Sequence, residues 1–346
     1  MKIYNIVYSF NILIYIIISV MYIIYLERKI SAKIQDRHGP LETGIYGITQ
    51  PIADIIKLLQ KVNITPQLSY KINYFIAPAI VFFSVYMCFI EIPFIFQIKN
   101  NYSDYGIIYI YAMIGVKVYA LLMAGISSNN HFSIIGSIRM LLNYISYEIS
   151  IILSSISVII INQTYNLQTI CILQSSIIKQ DNPILNSYID NGIIYWNIIH
   201  YPHLIISFII FFISSLALSN RTPFDLYEAE SELVAGIYTE YGGIKWGIMF
   251  LSEYALMLLF SLLMSILFFG GWNSPFIRKN FLQNINNYFF DFFWINLKSL
   301  IIIIIIIFIR WSMPRLRIDQ SMYICWNILI PISFLCVIIS FILVIL

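Results

Sequence analysis

The sequence predicts an all-α membrane protein of about eight transmembrane helices plus one amphipathic helix at the membrane surface. Of its 346 residues, 60% are hydrophobic and only 11% are charged, and the mean hydropathy is +0.82. Soluble domains carry about 25% charged residues, so this composition excludes an ordinary soluble protein. Eight apolar runs reach or approach the roughly 20 residues that cross a bilayer. Because backbone polar groups in lipid must be satisfied within each run, we expect helices in a single integral membrane domain, residues 1–346.

The eight predicted spans follow one another with loops of unequal length. They cover residues 3–26, 74–96, 105–123, 141–161, 204–218, 246–269, 292–309 and 323–346. The first run is too long for the core of a signal peptide and lacks a small-residue cleavage site, so we expect a retained helix. Loops after the odd-numbered spans hold thirteen Lys and Arg residues, against six on the opposite face. The positive-inside rule therefore places both termini outside, and it places the loops that contain 27–71 and 220–241 inside.

The long inside loop contains the predicted amphipathic helix, residues 45–59. Its apolar positions recur at helical spacing, at Ile48, Ile52, Ile55, Ile56 and Leu59. Such a helix lies at the membrane interface with its apolar face in lipid. Two hypotheses stay open for it: a passive surface anchor, or one wall of a lateral opening for a lipid-soluble ligand.

The outside segments, residues 163–203 and 270–291, are polar and are predicted to be irregular. His200 and His203 are predicted to be ordinary interface histidines, because no third metal ligand is patterned around them. The four cysteines form no CxxC or Cys/His cluster and are predicted to be buried thiols. No metal site and no nucleic-acid-binding patch is expected.

The inside stretch 220–241 concentrates acid between two apolar runs. Arg221 is its one cation, and its carboxylates are Asp225, Glu228, Glu230, Glu232 and Glu240. Apolar residues alternate with these acids, which indicates partial burial. Carboxylates close to apolar groups and to one another have raised, coupled pKa values, as a proton-handling site requires. The alternative hypothesis is a solvated acidic loop on the membrane surface.

Three further glutamates lie within or at the ends of predicted spans: Glu91, Glu148 and Glu253. An acid at a helix centre costs about 2.5 to 3.5 kcal/mol, so such acids usually mark proton or ion paths. Glu148 and Glu253 are each about two turns inside a helix, and with the acidic stretch they are predicted to form a chain of carboxylates. The alternative is structural ion pairing with Lys117 or Arg139, and Glu91 beside Pro93 suits a helix-end residue.

Six collinear blocks carry a resemblance to a known family. They are Glu27-Arg28-Lys29; residues 35–58, which fit QxRxGPxxxGxxGxxQPxADxxKL; Ser127-Ser128-Asn129 followed by Ile145-Ser146-Tyr147-Glu148; residues 220–241, which fit NRxPFDLxExESELxxGxxxEY; Glu253-Tyr254; and a tail with Arg310, Pro314-Arg315, Arg317 and Asp319-Gln320. With these blocks the chain resembles, over nearly its whole length, membrane subunit 1 of NADH:ubiquinone oxidoreductase (respiratory complex I), mitochondrial type.

The resemblance implies a core membrane-arm subunit of a proton-pumping enzyme, with ubiquinone as substrate. It implies quinone-chamber residues Glu27, Arg28, Arg37, Asp54, Phe224 and Asp225. It implies coupling acids Glu148, Asp225, Glu228, Glu230, Glu232, Glu240 and Glu253. Its expected partners are peripheral-arm subunits, neighbouring membrane-arm subunits and lipids. NADH, FMN and iron–sulfur clusters belong to the partner subunits, and no cofactor, metal or redox centre is expected in this chain. The expected location is the mitochondrial inner membrane, with organelle encoding suggested by the heavy use of isoleucine.

The chain departs from the family pattern at Leu218, where the family usually has Glu, and at Lys117, which is not a family feature. The outside loop 163–203 is longer than usual. Two alternatives remain: the homologous subunit of a membrane-bound hydrogenase or plastid-type dehydrogenase, and a secondary transporter. A transporter predicts an internal inverted repeat with broken helices, and no convincing pair of such segments is seen.

Overall fold

The predicted all-α class is confirmed in the computed structural model, which describes residues 2–94, 103–174, 189–190, 196–226, 230–275, 278–279 and 286–345. Within these residues, seven helices are long and apolar enough to cross a membrane, and an eighth apolar helix, His203–Leu218, is shorter. This matches the expected number of spans. The extended structure described is one antiparallel pair, β1 (Ile189–Asp190) with β2 (Arg278–Lys279).

The helices are numbered in chain order. They are α1 (Lys2–Ile34), α2 (Gln50–Gln60), α3 (Lys71–Ile90), α4 (Gly106–Ser127), α5 (His131–Asn162), α6 (Leu167–Gln174), α7 (Asn197–His200), α8 (His203–Leu218), α9 (Glu230–Leu233), α10 (Gly243–Phe268), α11 (Asn286–Ser312), α12 (Ile318–Tyr323) and α13 (Ile330–Ile345). Short 3₁₀ turns form at Ile45–Gly47 and Gly236–Tyr238, and a π-helical turn, Ile324–Leu329, joins α12 to α13.

Helix α10 is the centre of the bundle. It packs against α1, α3, α8 and α11, and 89% of its spanning window is buried. A helix that is apolar all round is expected to be enclosed by other helices rather than to line a surface. The one acid of α10, Glu253, is therefore held in the core of the bundle.

Small residues allow α4 and α5 to approach closely. A Cβ on Gly125 would lie 2.5 Å from the Cβ of Ser137, so only glycine fits at this crossing. Buried serines along α5 satisfy their hydroxyls within the helix: Ser150, Ser154 and Ser157 each donate to the carbonyl three residues earlier. Such small, internally bonded residues are typical of helix contacts in membranes.

Lys298 connects the C-terminal end of α10, predicted to be its outer end, to α11. Its ammonium donates to the carbonyls of Phe269, Gly271 and Asn273 at 2.7, 2.8 and 2.6 Å, and it lies 4.4 Å from the ring centroid of Trp196. Carbonyls just beyond a helix C-terminus lack intrahelical partners and attract a cation. The buried Lys298 therefore caps α10.

Several predicted boundaries are wrong. Helix α5 begins at His131 rather than near residue 141, because Asn130 caps it by accepting from the Phe132 amide at 3.1 Å. Its first turns carry polar residues that lower the local hydropathy. Helix α3 ends at Ile90, ahead of Pro93, rather than at residue 96, and α11 begins at Asn286 rather than residue 292. The outside segment 163–203 was predicted to be irregular, yet it contains α6 and α7; its residues 175–188 and 191–195 lie outside the described part.

The predicted amphipathic helix is confirmed as α2, but it begins at Gln50, with Pro51 in its first turn, rather than at residue 45, where a separate 3₁₀ turn forms. Its apolar positions Ile52, Ile56 and Leu59 are exposed in this chain. An exposed apolar stripe on a helix flanked by charge suits contact with lipid.

Candidate functional site

An open cavity of about 610 Å³ lies where α1 meets the approach to α2, on the loop that is predicted to face inside and is called the inside loop below. Arg28 and Asp54 form an ion pair of 2.6 Å beside it, and Gln50 donates to the same carboxylate at 2.9 Å. Arg37 also lines the cavity and donates through Nε to Gln35 at 2.7 Å. Three predicted quinone-chamber residues, Arg28, Arg37 and Asp54, are thus brought to one place.

Glu27 points away from that cavity although it adjoins Arg28 in sequence. Its side chain is buried and pairs with Arg310 near the end of α11. The carbonyl of Arg310 accepts a hydrogen bond from the Thr222 hydroxyl at 2.9 Å. The pair therefore ties α1 and α11 to the start of the acidic stretch.

The segment 220–226 is held by contacts from three sides. The buried Arg221 guanidinium stacks on the ring of Tyr254, 3.9 Å from its centroid, which is a cation–π contact. The buried Phe224 meets Tyr147 of α5 edge-on, with ring centroids 5.2 Å apart. The amide of Leu316 donates to the carbonyl of Pro223 at 2.9 Å. These contacts fix Asp225 close to the bundle.

Glu253 lies at the centre of a buried group of charges. It is 4% exposed and accepts a hydrogen bond from the Tyr238 hydroxyl. Among the charged groups around it, Lys117 has the largest electrostatic effect on Glu253, followed by Arg221, Asp225 and Arg310. Arg221 in turn interacts with both Glu27 and Glu253. The structure thus joins Glu27, Asp225 and Glu253 into one cluster of acids interleaved with cations, called the buried charge cluster below.

The remaining predicted acids lie elsewhere. Glu232 is exposed and pairs with Arg139 at 2.5 Å, and the hydrogen bond from that arginine lowers its pKa. Glu240 accepts from Asn130 at 2.8 Å, the same residue that caps α5. Glu228 lies outside the described residues. Glu230 opens α9, and its side chain is not among those described.

Glu148 is half-buried on α5 and is hydrogen-bonded by Tyr144 one turn earlier. Tyr241, next to Glu240, stacks on Tyr74 with ring centroids 4.3 Å apart, and burial raises the pKa of Tyr241 to about 12. Of the predicted coupling acids whose side chains are described, Glu253 is the one that is fully buried, and a tyrosine hydroxyl lies beside it as beside Glu148.

Sequence reasoning missed Arg310, Tyr238 and Tyr254 as site residues. Arg310 follows directly on the apolar run of α11, and a cation in that position could have been recognised as the partner of a buried acid. Tyr254 belongs to one of the blocks that carry the resemblance, but nothing in the local pattern of Tyr238 or Tyr254 predicts a contact with a buried charge. Within the described residues, no group of His, Cys, Asp and Glu is arranged to hold a metal ion.

Comparison with known proteins identifies the chain's relatives. A sequence profile of the family described as NADH dehydrogenase matches residues 7–341. An NADH-quinone oxidoreductase subunit of Cytophaga hutchinsonii is 38% identical over 346 residues, covering 94% of this chain and 95% of that protein. The equivalent NADH-quinone oxidoreductase subunit of Chlorobaculum parvum is 38% identical (91% and 85% covered), and that of Dehalococcoides mccartyi is 36% identical (92% and 81% covered). These relatives are bacterial, so the expected resemblance is confirmed in its bacterial rather than its mitochondrial form.

Proposed function

The chain belongs to the NADH dehydrogenase family, and from that premise we propose that it is a core membrane subunit of a proton-pumping NADH:quinone oxidoreductase. In this role it forms part of the quinone chamber and the start of the acidic path that couples quinone reduction to proton translocation. Its partners are the other subunits of the complex, which carry FMN and the iron–sulfur clusters and oxidise NADH. Ubiquinone is the proposed substrate.

The proposed quinone chamber lies at the inside loop. The cavity of about 610 Å³ is of the size that holds a small organic ligand. Arg28, Arg37 and Gln50 supply donors for quinone oxygens, and the exposed apolar face of α2 lies next to them. This arrangement favours a lateral opening for a lipid-soluble ligand over a passive anchor. Glu27, Phe224 and Asp225 would extend the chamber towards the bundle.

The buried charge cluster is the single observation that carries the coupling role. Reduction of a quinone takes up protons and changes the local charge. Acids and cations that interact in a low-dielectric core respond to such a change by shifting their protonation equilibria together. Glu253 is linked electrostatically to Asp225 of the loop and to Lys117 inside the membrane. A charge change at the loop therefore shifts the protonation equilibria of residues within the bundle. Glu148, Glu228, Glu230, Glu232 and Glu240 are the further proposed coupling acids.

The chain is a multi-pass membrane protein. Its bacterial relatives favour the bacterial cytoplasmic membrane as its location. The mitochondrial inner membrane and organelle encoding, which were expected from the resemblance and from isoleucine usage, have no support from these relatives.

The test is the subunit composition and activity of the native complex, purified in mild detergent. We expect co-purification with flavin and iron–sulfur subunits, together with NADH:quinone activity sensitive to rotenone- or piericidin-type inhibitors. Co-purification with a nickel hydrogenase would replace this proposal with the hydrogenase alternative. A homogeneous single-chain particle would instead support a transporter.

A further inference from the structure

Lys245, at the start of α10, has a buried Nζ atom with no hydrogen-bond partner among the described residues. This atom lies 3.4 Å from the ring centroid of Phe75 and 4.4 Å from that of Tyr74, both in the first turns of α3. Aromatic faces attract a cation, but they supply no oxygen or nitrogen acceptor for its three N–H groups. Within the described part of the chain, the ammonium of Lys245 therefore lacks an acceptor.

Three further lysines lie on the elements around this point. Lys71 is the first residue of α3, one helical turn before Phe75, so the two side chains share a face of that helix. Lys61 directly follows α2, and its backbone carbonyl would lie 3.1 Å from a Cβ on Gly243 at the start of α10. Lys57 lies one turn before Lys61. All three lysines are exposed. These elements form what we call the lysine surface: Lys57, Lys61, Lys71 and Lys245.

The lysine surface has no acid of its own. The sequence contains no Asp or Glu between Asp54 and Glu91, and Asp54 is already paired at the cavity on the inside loop. Tyr74 donates to the backbone carbonyl of Glu240 at 2.6 Å, but the carboxylate of Glu240 accepts from Asn130. None of the ion pairs between described residues includes a lysine of this surface. Its positive charge is therefore not compensated by the described part of the chain.

Apolar side chains are exposed beside these lysines. Ile72 and Phe75 of α3 are 75% and 55% exposed, and Ile56 and Leu59 on α2 are also exposed. Cations at the edge of an exposed apolar surface are typical of the headgroup level of a bilayer, where ammonium groups meet phosphates and apolar side chains meet acyl chains. A ligand that fits both parts of this surface has an anionic group and a hydrocarbon chain. A free phosphate has no such chain.

We propose that the lysine surface binds the headgroup of an anionic phospholipid from the inside leaflet. Lys61 and Lys71 would hold its phosphate, a phosphate oxygen beside Phe75 would supply the acceptor that Lys245 lacks, and an acyl chain would follow Ile72. The positive-inside orientation places this surface on the cytoplasmic side, where anionic lipids attract lysines and basic pockets between helices bind headgroups. The inference goes beyond the proposed function, because neither quinone nor proton transfer takes part in it.

The test is photocrosslinking of lipid to the chain, purified with its native partner subunits and placed in phosphatidylcholine nanodiscs. Two probes are compared, a phosphatidylglycerol and a phosphatidylcholine that carry the same diazirine next to the headgroup. Mass spectrometry locates the crosslinked peptides. We expect the phosphatidylglycerol probe to label residues 56–76 at least about fivefold more than the phosphatidylcholine probe. High salt is expected to reduce this preference, because it screens exposed charges.

Paired charge variants test the exposed lysines. In Lys61→Gln/Lys71→Gln the preference is expected to disappear, since each lysine near an anionic headgroup contributes roughly a fivefold preference. The matched control, Lys29→Gln/Lys33→Gln, removes the same charge on the same side of the membrane from α1. It is expected to leave the labelling of residues 56–76 unchanged. An equal loss in the control would show only a general surface potential and would overturn the proposal.

Two substitutions at Lys245 test its ammonium separately. Lys245→Met keeps an unbranched side chain against Phe75 without the charge, and it is expected to lower the preference roughly fivefold. Lys245→Arg keeps the charge and is expected to keep the preference. Equal labelling in all three proteins would overturn the assignment of Lys245 to this site. Should Lys245→Met fail to assemble, the exposed pair Lys61 and Lys71 still decides the proposal.

The unaltered protein gives the remaining outcomes. Equal labelling of residues 56–76 by both probes would overturn the proposal, because the surface would then contact lipid without selecting charge. No labelling by either probe would show that a partner subunit covers the surface, and would overturn it as well. The labelling is measured without turnover. A preparation that lacks quinone reductase activity would therefore end the proposed function and leave this result standing.

Discussion

Glu27 of α1 and Arg310 of α11 form an ion pair although they are 283 residues apart in the chain. The pair joins the first helix to the second-last long helix. The backbone carbonyl of Arg310 also accepts a hydrogen bond from the Thr222 hydroxyl. The first and last thirds of the sequence thus meet at the edge of the acidic stretch. This contact ties α1 to α11 within the chain itself.

Glu27→Gln is expected to destabilise the chain by about 3 kcal/mol, because it leaves the guanidinium of Arg310 without its carboxylate. The partial exposure of Arg310 places the cost at the low end for a buried pair. The measurement is the thermal inactivation of the purified complex. In a double-mutant cycle with Arg310→Gln, the second substitution is expected to cost much less than it does alone. Strictly additive losses would show that the two side chains do not interact.

Asp225→Asn is expected to lower quinone-linked turnover, because it removes one negative charge from the buried charge cluster. NADH oxidation by an artificial acceptor should be unchanged, since that reaction ends in the partner subunits. Asp36→Asn is the matched control: Asp36 is exposed, and its φ of +51° is one that asparagine tolerates. Equal quinone turnover in both variants would remove Asp225 from the coupling path.

Arg37→Met is expected to raise the KM for a short-chain quinone while changing thermal stability little. Its guanidinium lines the inside cavity and its described hydrogen bond is to the neighbouring Gln35. Exposed polar contacts of this kind contribute about 1 kcal/mol or less to stability. Lys33→Met, an exposed cation at the end of α1 that does not line the cavity, is the control. A lower kcat at unchanged KM would place Arg37 outside the quinone-binding surface.

Lys298→Met is expected to destabilise the chain by about 3 kcal/mol or more, since three hydrogen bonds from a charged donor are lost. The KM for quinone should not change, because Lys298 caps the outer end of α10, away from the inside cavity. Thermal inactivation of the preparation checks the loss of stability, and steady-state kinetics of the same preparation check the KM for quinone. A quinone KM that rises with normal stability would contradict the capping role.

Glu232→Gln is expected to lower quinone-linked turnover by an amount that is constant between about pH 6 and pH 8. The hydrogen bond from Arg139 lowers the pKa of Glu232 below its ordinary value. A carboxylate with a lowered pKa contributes its pairing above its unfolded pKa and loses it only as the pH falls through the folded value. The ion pair is therefore complete throughout that window. A deficit that grows with rising pH would mean that Glu232 titrates there.

Hydropathy alone was sufficient to predict the spans, because each has to satisfy its backbone within the bilayer. It misplaced the start of α5, since polar residues in the turns that follow His131 lower the local hydropathy although the helix already begins there. The amphipathic α2 followed from spacing. These successes are local: they depend on residues within one or two turns of each other.

The sequence allowed candidate site residues to be named, but it did not predict the contacts among them. Asp54 and Arg28 belong to separate motifs of the sequence, and nothing within either motif shows that they pair. Arg310 and Tyr254 were missed for the same reason, since their roles come from helices that pack side by side. Glu253 is buried and Glu232 is exposed, and this difference likewise depends on tertiary packing. The residue type is the same in both cases, so it does not predict which one is buried.

Helix α10 is enclosed by its neighbours, whereas the spanning windows of α1 and of the Ile318–Ile345 helix are each only 22% buried in this chain. Bilayer thickness acts on helices through the length of their lipid-facing surface, and mismatch is relieved by tilting. A change in bilayer thickness is therefore expected to act first on α1 and the Ile318–Ile345 helix, and least on the position of Glu253 in the enclosed α10.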